Sequence, residues 1–421
     1  MNKYKTIIER VNYVLFAALV FLLPFPQVFL RYAIVLWLVA WVLEGRWLHK
    51  PKSLKRNTMV IPFLLFALWY VWRIASGLWA ADHAAWSWQM ERYLTFGLMV
   101  PVGIWGVNER YNWKQLGRVF TIGCVAAVPI YLIILTPLYF HREIIDQLNW
   151  VAEWNYDVHS WYSFFANNIS VLKHRLFLCS IEILGAAMAL QVWKEKKWLL
   201  TGMLPVMLAA IPLTGSRQSI LTLAALAVIG LIYLLPKRYR MRYGIGIVLL
   251  GVLLGGAVLK FHPRMQEFHL KDITQMRTIS PDHDVRLNLW GIALQQPSDY
   301  LWHGLGAGQS TNYMMERYQE MGCDYYYQKE YNTHNQYLAE LMEIGIFGLL
   351  FFVLAWLSIP LCAKNKGRLN ALIFSTLYLL NMFTDCMFGR FDGIVLWAVW
   401  MVLIYQISRA DGVADDRLTP A

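Results

Sequence analysis

Charged residues are scarce in this chain: only 15% of its 421 residues are Asp, Glu, Lys or Arg, whereas 58% are hydrophobic. Soluble domains carry more charge than this, so the composition excludes an ordinary soluble protein. Apolar runs of membrane-spanning length recur along the chain instead. We therefore expect an all-α integral membrane protein, with residues 1–421 forming a single polytopic domain.

Motifs for metals and nucleotides are also missing. The five cysteines form no CxxC pair, and no HExxH or DxD-type pair occurs. The stretch His303–Gly308 contains GxGxG, but no strand precedes it as a dinucleotide site requires. We therefore predict that the protein uses neither a metal nor a cofactor. The net charge of +11 lies largely in short loops between apolar runs, which argues against nucleic acid as a partner.

The length criterion predicts about twelve spans. The first follows a basic start, as a signal peptide would, but no small-residue cleavage site follows it. The predicted segments are Val11–Pro26, Gln27–Leu43, Met59–Trp79, Tyr93–Val107, Leu116–Tyr139, Leu176–Trp193, Trp198–Leu213, Ser219–Leu235, Gly244–Lys260, Tyr337–Ile359, Leu369–Thr384 and Gly393–Ile407.

Lysine and arginine clusters set the expected orientation, since they favour the cytoplasmic side. With twelve spans, all of these clusters fall on one side, and both termini lie in the cytoplasm. Two long segments, 141–175 and 262–335, then face outward. The second lies between spans nine and ten, and we expect this periplasmic loop to carry part of the active site. The clusters are Lys3 to Arg10, Arg46 to Arg56, Lys194 to Lys197, Lys237 to Arg242 and Lys364 to Arg368.

One histidine falls where the second long segment ends and an apolar run begins. Thr333 and Gln336 have the spacing of a capping box, which predicts that His334 is the first helical residue. The positive end of a helix disfavours imidazolium, so the ring should be neutral and able to accept a proton. The alternative is a solvated histidine at the membrane boundary.

Two arginines lie at predicted helix starts on the same side. Ser216 is a plausible N-cap for a helix beginning with Arg217, where a cation opposes the helix dipole. Arg286 follows Ser280 and Pro281, which suit a cap and a first helical position. The alternative for Arg217 is snorkelling to lipid phosphates. For Arg286 it is a salt bridge to a neighbouring aspartate, Asp282 or Asp284.

Together these residues predict a chemistry. Arginine forks suit phosphate oxygens, and a neutral histidine can take a proton from an attacking hydroxyl. The combination points to displacement of a lipid-linked diphosphate by an alcohol. Lesser candidates are Lys173, His174 and Arg175, with an interfacial basic cluster as the alternative, and His303. Charged residues expected to need partners inside the membrane are Arg73, Glu182, Asp385, Arg390 and Asp392.

At these residues the sequence resembles the O-antigen ligase and polymerase superfamily of bacterial membrane glycosyltransferases. No single motif is specific, but the set occurs in the family's order over about half the chain. Gln218 departs from the pattern, because a small residue is common there. The matching parts are Ser216-Arg217, Val285-Arg286-Leu287 with Trp290, Pro297 with Gly304-Leu305-Gly306, and Thr333-His334-Asn335 with Gly345 and Gly348.

The resemblance implies transfer of a glycan from undecaprenyl diphosphate at the periplasmic face of the bacterial inner membrane. Arg217 and Arg286 would bind the diphosphate, and His334 would activate the acceptor hydroxyl. We expect a ligase that uses a lipid A–core acceptor. The alternatives are the polymerase of the same superfamily, a protein O-oligosaccharyltransferase and a polysaccharide transporter. A transporter would favour charges at mid-membrane, whereas the candidate residues here gather at one face.

Overall fold

The computed structural model describes residues 3–49, 58–140, 161–236 and 285–415, with a few isolated positions between 238 and 253. This part of the chain is all-helical and contains no strand. The helices are α1 Lys3–Leu22, α2 Gln27–Leu43, α3 Val60–Ala75, α4 His83–Trp105, α5 Trp113–Phe140, α6 Trp161–Leu172, α7 Arg175–Val192, α8 Lys197–Thr214, α9 Arg217–Leu234, α10 Val285–Ala293, α11 Gln309–Glu320, α12 Asp324–Gln328, α13 Gln336–Cys362, α14 Asn365–Asn381 and α15 Phe391–Asp415.

Helices occupy eleven of the twelve segments predicted to span the membrane. The ninth segment, Gly244–Lys260, lies outside the described ranges apart from isolated positions. The described residues contain seven helices that are long and apolar enough to cross a bilayer: Gln27–Leu48, Val60–Leu78, Trp113–Phe140, Arg175–Val192, Lys197–Thr214, Gln336–Cys362 and Phe391–Arg409. A multi-pass membrane protein follows from these, whereas the count of twelve stays a prediction.

Helix α15 runs through the centre of the bundle. Of the membrane-spanning part of this helix, Phe391–Arg409, 89% is buried, as expected of a helix that is apolar all round. Trp397 lies in ring contact with Phe66 of α3 and Phe96 of α4, at centroid distances of 4.8 and 4.4 Å. Phe388, just before α15, packs 4.7 Å from Phe96 in the same aromatic core. This ring anchors the turn between α14 and α15 in the centre of the protein.

The polar segment predicted as a loop, 262–335, contains helices where it is described. Residues 262–284 lie outside the described ranges, and 285–328 contain helices α10, α11 and α12. These helices share a small core in which Leu289, Tyr300, Tyr318 and Met342 are fully buried. Because Met342 belongs to α13, this core holds the segment against the first turns of that helix.

Helix α13 breaks at Gly345, whose φ of 66° and ψ of −174° are not helical. Its 27 residues would reach about 40 Å, longer than a membrane core of about 30 Å. The Gly304–Gly306 strip fills the break, since Leu305 and Gly306 donate backbone hydrogen bonds to Met342 and Glu343. A Cβ on Gly304 would lie 2.3 Å from the Glu343 carbonyl oxygen, so only glycine fits. The GxGxG stretch therefore closes a helix break, which agrees with rejecting it as a nucleotide site.

Candidate active site

The candidate site is organised by the turn Met382–Arg390 between α14 and α15, which we call the site turn. Its Met382 carbonyl accepts a hydrogen bond from Gln336 N at the start of α13, at 2.8 Å. The Phe388 N–H donates to Gln336 Oε1 at 2.9 Å. The starts of α7 and α10 reach the same turn, whereas the start of α9 reaches Leu380, at the end of α14 just before the turn. His334, His174 and Arg286 thus meet at a turn that was not among the predicted site residues.

His334 precedes α13 rather than beginning it. Asn335 is the N-cap, and its side chain accepts hydrogen bonds from Tyr337 N and Leu338 N. The predicted capping box is therefore wrong: Thr333 Oγ1 donates to the Asn335 carbonyl, and Gln336 donates to Glu340. An Asn caps as well as a Thr or better, and Asn335 lies two residues closer to the apolar run.

The backbone of His334 has a positive φ of 43°, which is uncommon for any residue except glycine. Its N–H donates to Asn332 Oδ1 at 2.9 Å, which holds this conformation. The ring is 27% exposed, and Tyr331 packs edge-on against it at 5.7 Å. A strained and partly open position of this kind is typical of functional residues.

Asp385 of the site turn lies between two imidazoles. Its Oδ1 is 3.6 Å from His334 Nδ1, and its Oδ2 is 3.8 Å from His174 Nε2. Burial disfavours the charged carboxylate, but His334, His174 and Arg390 outweigh burial and lower the pKa of Asp385. For His174 burial is the largest effect and lowers the pKa to about 4, against the attraction of Asp385. The carboxylate is therefore ionised at neutral pH, and His174 is neutral.

Arg286 contacts the site turn from α10. Arg286, in the first turn of α10, donates from Nε to the Thr384 carbonyl oxygen at 2.9 Å. Trp290 of the same helix donates to the Thr333 carbonyl at 3.0 Å, which ties α10 to the His334 loop. Residues 280–284, including the aspartates of the alternative salt bridge, lie outside the described ranges.

Arg217 is the first residue of α9, and Ser216 is its N-cap as predicted. The next residue, Gln218, donates to the Leu380 carbonyl at the end of α14. This contact gives a use to the glutamine that departs from the family pattern. Leu380, which Gln218 contacts, and Thr384, which Arg286 contacts, are four positions apart. Both arginines are half-buried.

The secondary candidates divide into those near Asp385 and those engaged elsewhere. Lys173 is buried, and its ammonium contacts Asp392 Oδ1 at 2.6 Å and the Phe25 carbonyl at 3.0 Å. Arg175 begins α7 directly after His174. His303 stacks on Trp79 at 6.0 Å, beside the break in α13, about 14 Å along that helix from its start.

Sequence reasoning expected partners for Asp385 but did not select it as a site residue. No local motif marks it, because its importance comes from two histidines far away in the sequence. Arg73 and Asp392 find the partners that were expected. Glu182 is fully buried, and neither of its carboxyl oxygens has a hydrogen-bond partner in the described part of the chain. No group of three His, Cys, Asp or Glu among the described residues could hold a metal ion.

Fold and site together define a multi-pass, all-helical membrane protein with histidine, aspartate and arginine gathered at one end of its bundle. Residues 202–353 match the family model described as O-antigen ligase. The match confirms the resemblance to the O-antigen ligase superfamily, a group of membrane glycosyltransferases. It includes Arg217, Arg286 and His334, whereas His174 and Asp385 lie outside it. No curated protein matches the chain.

Proposed function

We propose that the protein is an O-antigen ligase, which transfers a glycan from undecaprenyl diphosphate to a hydroxyl of lipid A–core. The site would lie on the periplasmic side of the bacterial inner membrane, as the loop charges predict. The proposal rests on one observation: His334 Nδ1 lies 3.6 Å from Asp385 Oδ1. Asp385 belongs to the site turn, which Arg286 also contacts. A base, an orienting carboxylate and a phosphate-binding cation are what the reaction requires.

In the proposed reaction the acceptor hydroxyl loses its proton to His334 as its oxygen bonds to the anomeric carbon of the glycan. The bond from that carbon to the diphosphate oxygen breaks, and undecaprenyl diphosphate leaves. Asp385 lies on the Nδ1 side of His334, which leaves Nε2 for the hydroxyl, and its negative charge stabilises the imidazolium that forms. A positioned base contributes roughly 10²–10⁴ in rate.

Arg217 and Arg286 would bind the diphosphate and stabilise the charge that it gains as it leaves. Lys173 is engaged by Asp392, so it supports the start of α7 rather than the donor. No step requires a metal, so transfer by purified protein should survive chelation. If EDTA abolished transfer and a divalent ion restored it, the arginines alone would not be the diphosphate site.

Deleting the gene and separating surface glycans on a gel tests the proposal. Loss of a ligase leaves core without long chains, whereas loss of a polymerase leaves core carrying one repeat. Loss of a transporter would trap glycan inside the cell. Core with a single repeat would therefore overturn the ligase in favour of the polymerase. A reporter fused after Gln319 should read extracytoplasmic, and a cytoplasmic reading would contradict the location of the site.

A further inference from the structure

A second groove is lined by α2, α4, the last two residues of the site turn and the first residue of α15. Its volume is about 600 Å³. Helices α2 and α4 run parallel here: Arg92 contacts Gly389 of the site turn, and Trp41 contacts Gly106 where both helices end. One end of the groove is therefore at the level of the site, and the other extends toward the middle of the bundle.

Three arginines line the end of the groove near the site. Arg31 lies 5.9 Å from the Phe391 ring, and Arg92 lies 3.6 Å from the Trp88 ring while donating to the Gly389 carbonyl at 2.6 Å. Arg390 is exposed. Among the described residues none of the three forms an ion pair, and Glu91 is the one acidic residue in the lining. Since like charges repel, this arrangement favours an anion.

The deeper part of the groove is apolar. Ile34 and Leu38 line it from α2, and Leu94 and Leu98 line it from α4. At 1.5 Å per residue, Leu38 and Leu98 lie roughly 10 Å beyond the arginines along their helices. The cationic end of the groove therefore suits an anionic head group, and its apolar part suits an acyl chain. A phosphorylated lipid has both features.

We propose that this groove binds the phosphorylated lipid anchor of the acceptor, with phosphate at the arginines and acyl chain along α2 and α4. The inference rests on the proposed function, in which the donor diphosphate occupies Arg217 and Arg286. Arg390 links the two sites, because it lines the groove and its charge also acts on Asp385 and His174. An acceptor held here presents its sugars at the turn that carries Asp385.

The test measures lipid binding without donor, so that it does not depend on transfer. Full-length protein is titrated with purified lipid A–core, with its enzymatically dephosphorylated form and with undecaprenyl diphosphate. We expect the phosphorylated lipid to bind about tenfold tighter than the dephosphorylated form, because one hydrogen bond between an arginine and a phosphate raises affinity by about that factor. Equal affinity for the two forms would contradict the assignment of the groove to a phosphorylated lipid.

Arg31→Gln is the informative variant, because Arg31 is exposed and is not part of the proposed catalytic machinery. It should lose the preference for phosphate while binding undecaprenyl diphosphate as before. Leu94→Trp fills the apolar part of the groove without changing its charge, and it should weaken the binding of the acceptor lipid to a similar extent. The matched control is Arg110→Gln, five residues beyond the end of α4 away from the groove's arginines. If Arg31→Gln instead weakened the binding of undecaprenyl diphosphate, the groove would be a donor site, and our assignment would be wrong.

Transfer assays on the same protein separate this inference from the proposed function. If the wild type bound phosphorylated lipid through Arg31 but transferred no glycan to it, the proposed function would fail and the groove would stand. If transfer occurred with unchanged acceptor KM in both Arg31→Gln and Leu94→Trp, the groove would fail and the proposed function would stand.

Discussion

Two clusters of ionisable side chains lie near the start of α13, and they differ in how fully their charges are satisfied. In the first, Arg73 contacts Glu340 Oε2 at 2.6 Å and also pairs with Glu343. Trp69 and Gln336 donate to Glu340, and Ser310 and Gln89 donate to Glu343. Every carboxylate oxygen therefore has a donor, and the cluster is buried; Arg73 Nε is its one nitrogen without a hydrogen-bond partner in the described part of the chain.

The second cluster, formed by Asp385, His174 and His334, is looser. Its carboxylate–imidazole contacts are 3.6 and 3.8 Å long, and the Nδ1 atoms of both histidines have no hydrogen-bond partner in the described part of the chain. The side chains are 11–27% exposed. Saturated, buried charges hold structure in place, whereas unsatisfied and accessible ones are available for chemistry. Gln336 joins the clusters, because it contacts both Glu340 and the site turn.

The largest effect is expected where the saturated cluster is broken. Arg73→Ala leaves two carboxylates buried without their cation, which should cost about 3–5 kcal/mol of folding free energy. Thermal unfolding of the purified protein measures this change. The control is Arg110→Ala, which removes a surface pair with Glu9 and should cost at most about 1 kcal/mol. Equal unfolding temperatures for the two variants would show that the Arg73 cluster is not structural.

His334→Ala attacks the looser cluster and should lower the transfer rate by roughly 10²–10⁴ while leaving donor binding nearly intact. Because His334 has a positive φ, His334→Asn is a second variant that tolerates this backbone and separates strain from chemistry. Both should unfold near the wild-type temperature. Transfer at nearly the wild-type rate would place the base elsewhere, with His174 and His303 the next to test.

Asp385→Asn should lower the rate by about 10², because the amide keeps the shape but not the charge that supports the imidazolium. The loss should fall on kcat and leave the KM for donor nearly unchanged, because the charge acts on the imidazolium that forms in the transition state. A merely structural role would lower the unfolding temperature instead. A variant with a normal kcat would contradict the orienting role.

Arg217→Lys and Arg286→Lys should each raise the KM for donor about tenfold, because an ammonium cannot reproduce the two-pronged contact with phosphate. Arg286 also donates to the Thr384 carbonyl, so unfolding temperatures must be compared first. Arg317→Lys, in a surface pair with Glu320, is the matched control and should not change the KM. If the lysine variants kept the wild-type KM, the diphosphate would bind elsewhere.

Local rules predicted the helices well and the site only in part. Apolar length placed eleven of the helices, and Ser216 caps α9 as its position predicted. The cap of α13 was wrong because Thr333, Asn335 and Gln336 are all plausible capping residues, and tertiary contacts decide among them. Gln336 is drawn to Glu340 and to the Phe388 N–H, which a one-dimensional pattern does not contain.

Asp385 shows why the rest of the site was beyond local rules. It precedes α15 in a short turn, and its neighbours His174 and His334 are 211 and 51 positions away. Only the packing of α7, α13 and α14 brings them together, and it depends on Phe388 inserting into the aromatic core. The break in α13 was equally hidden, since Gly345 alone does not show that Gly304 comes to fill it.

His174→Gln should have the smallest effect, and it tests whether the looser cluster has one base or two. Burial holds the pKa of His174 at about 4, so the folded protein keeps this ring neutral at pH 5–8. The transfer rate should change less than about threefold, and the pH–rate profile should keep its shape above pH 5. An unfolded histidine binds a proton below about 6.5, so the wild type should lose stability as the pH falls from 6.5 toward 4. The variant should lose less over that range, which thermal unfolding at pH 7, 6 and 5 measures. A rate as low as that of His334→Ala would instead make His174 an essential proton carrier, and the comparison between the two histidines would fail.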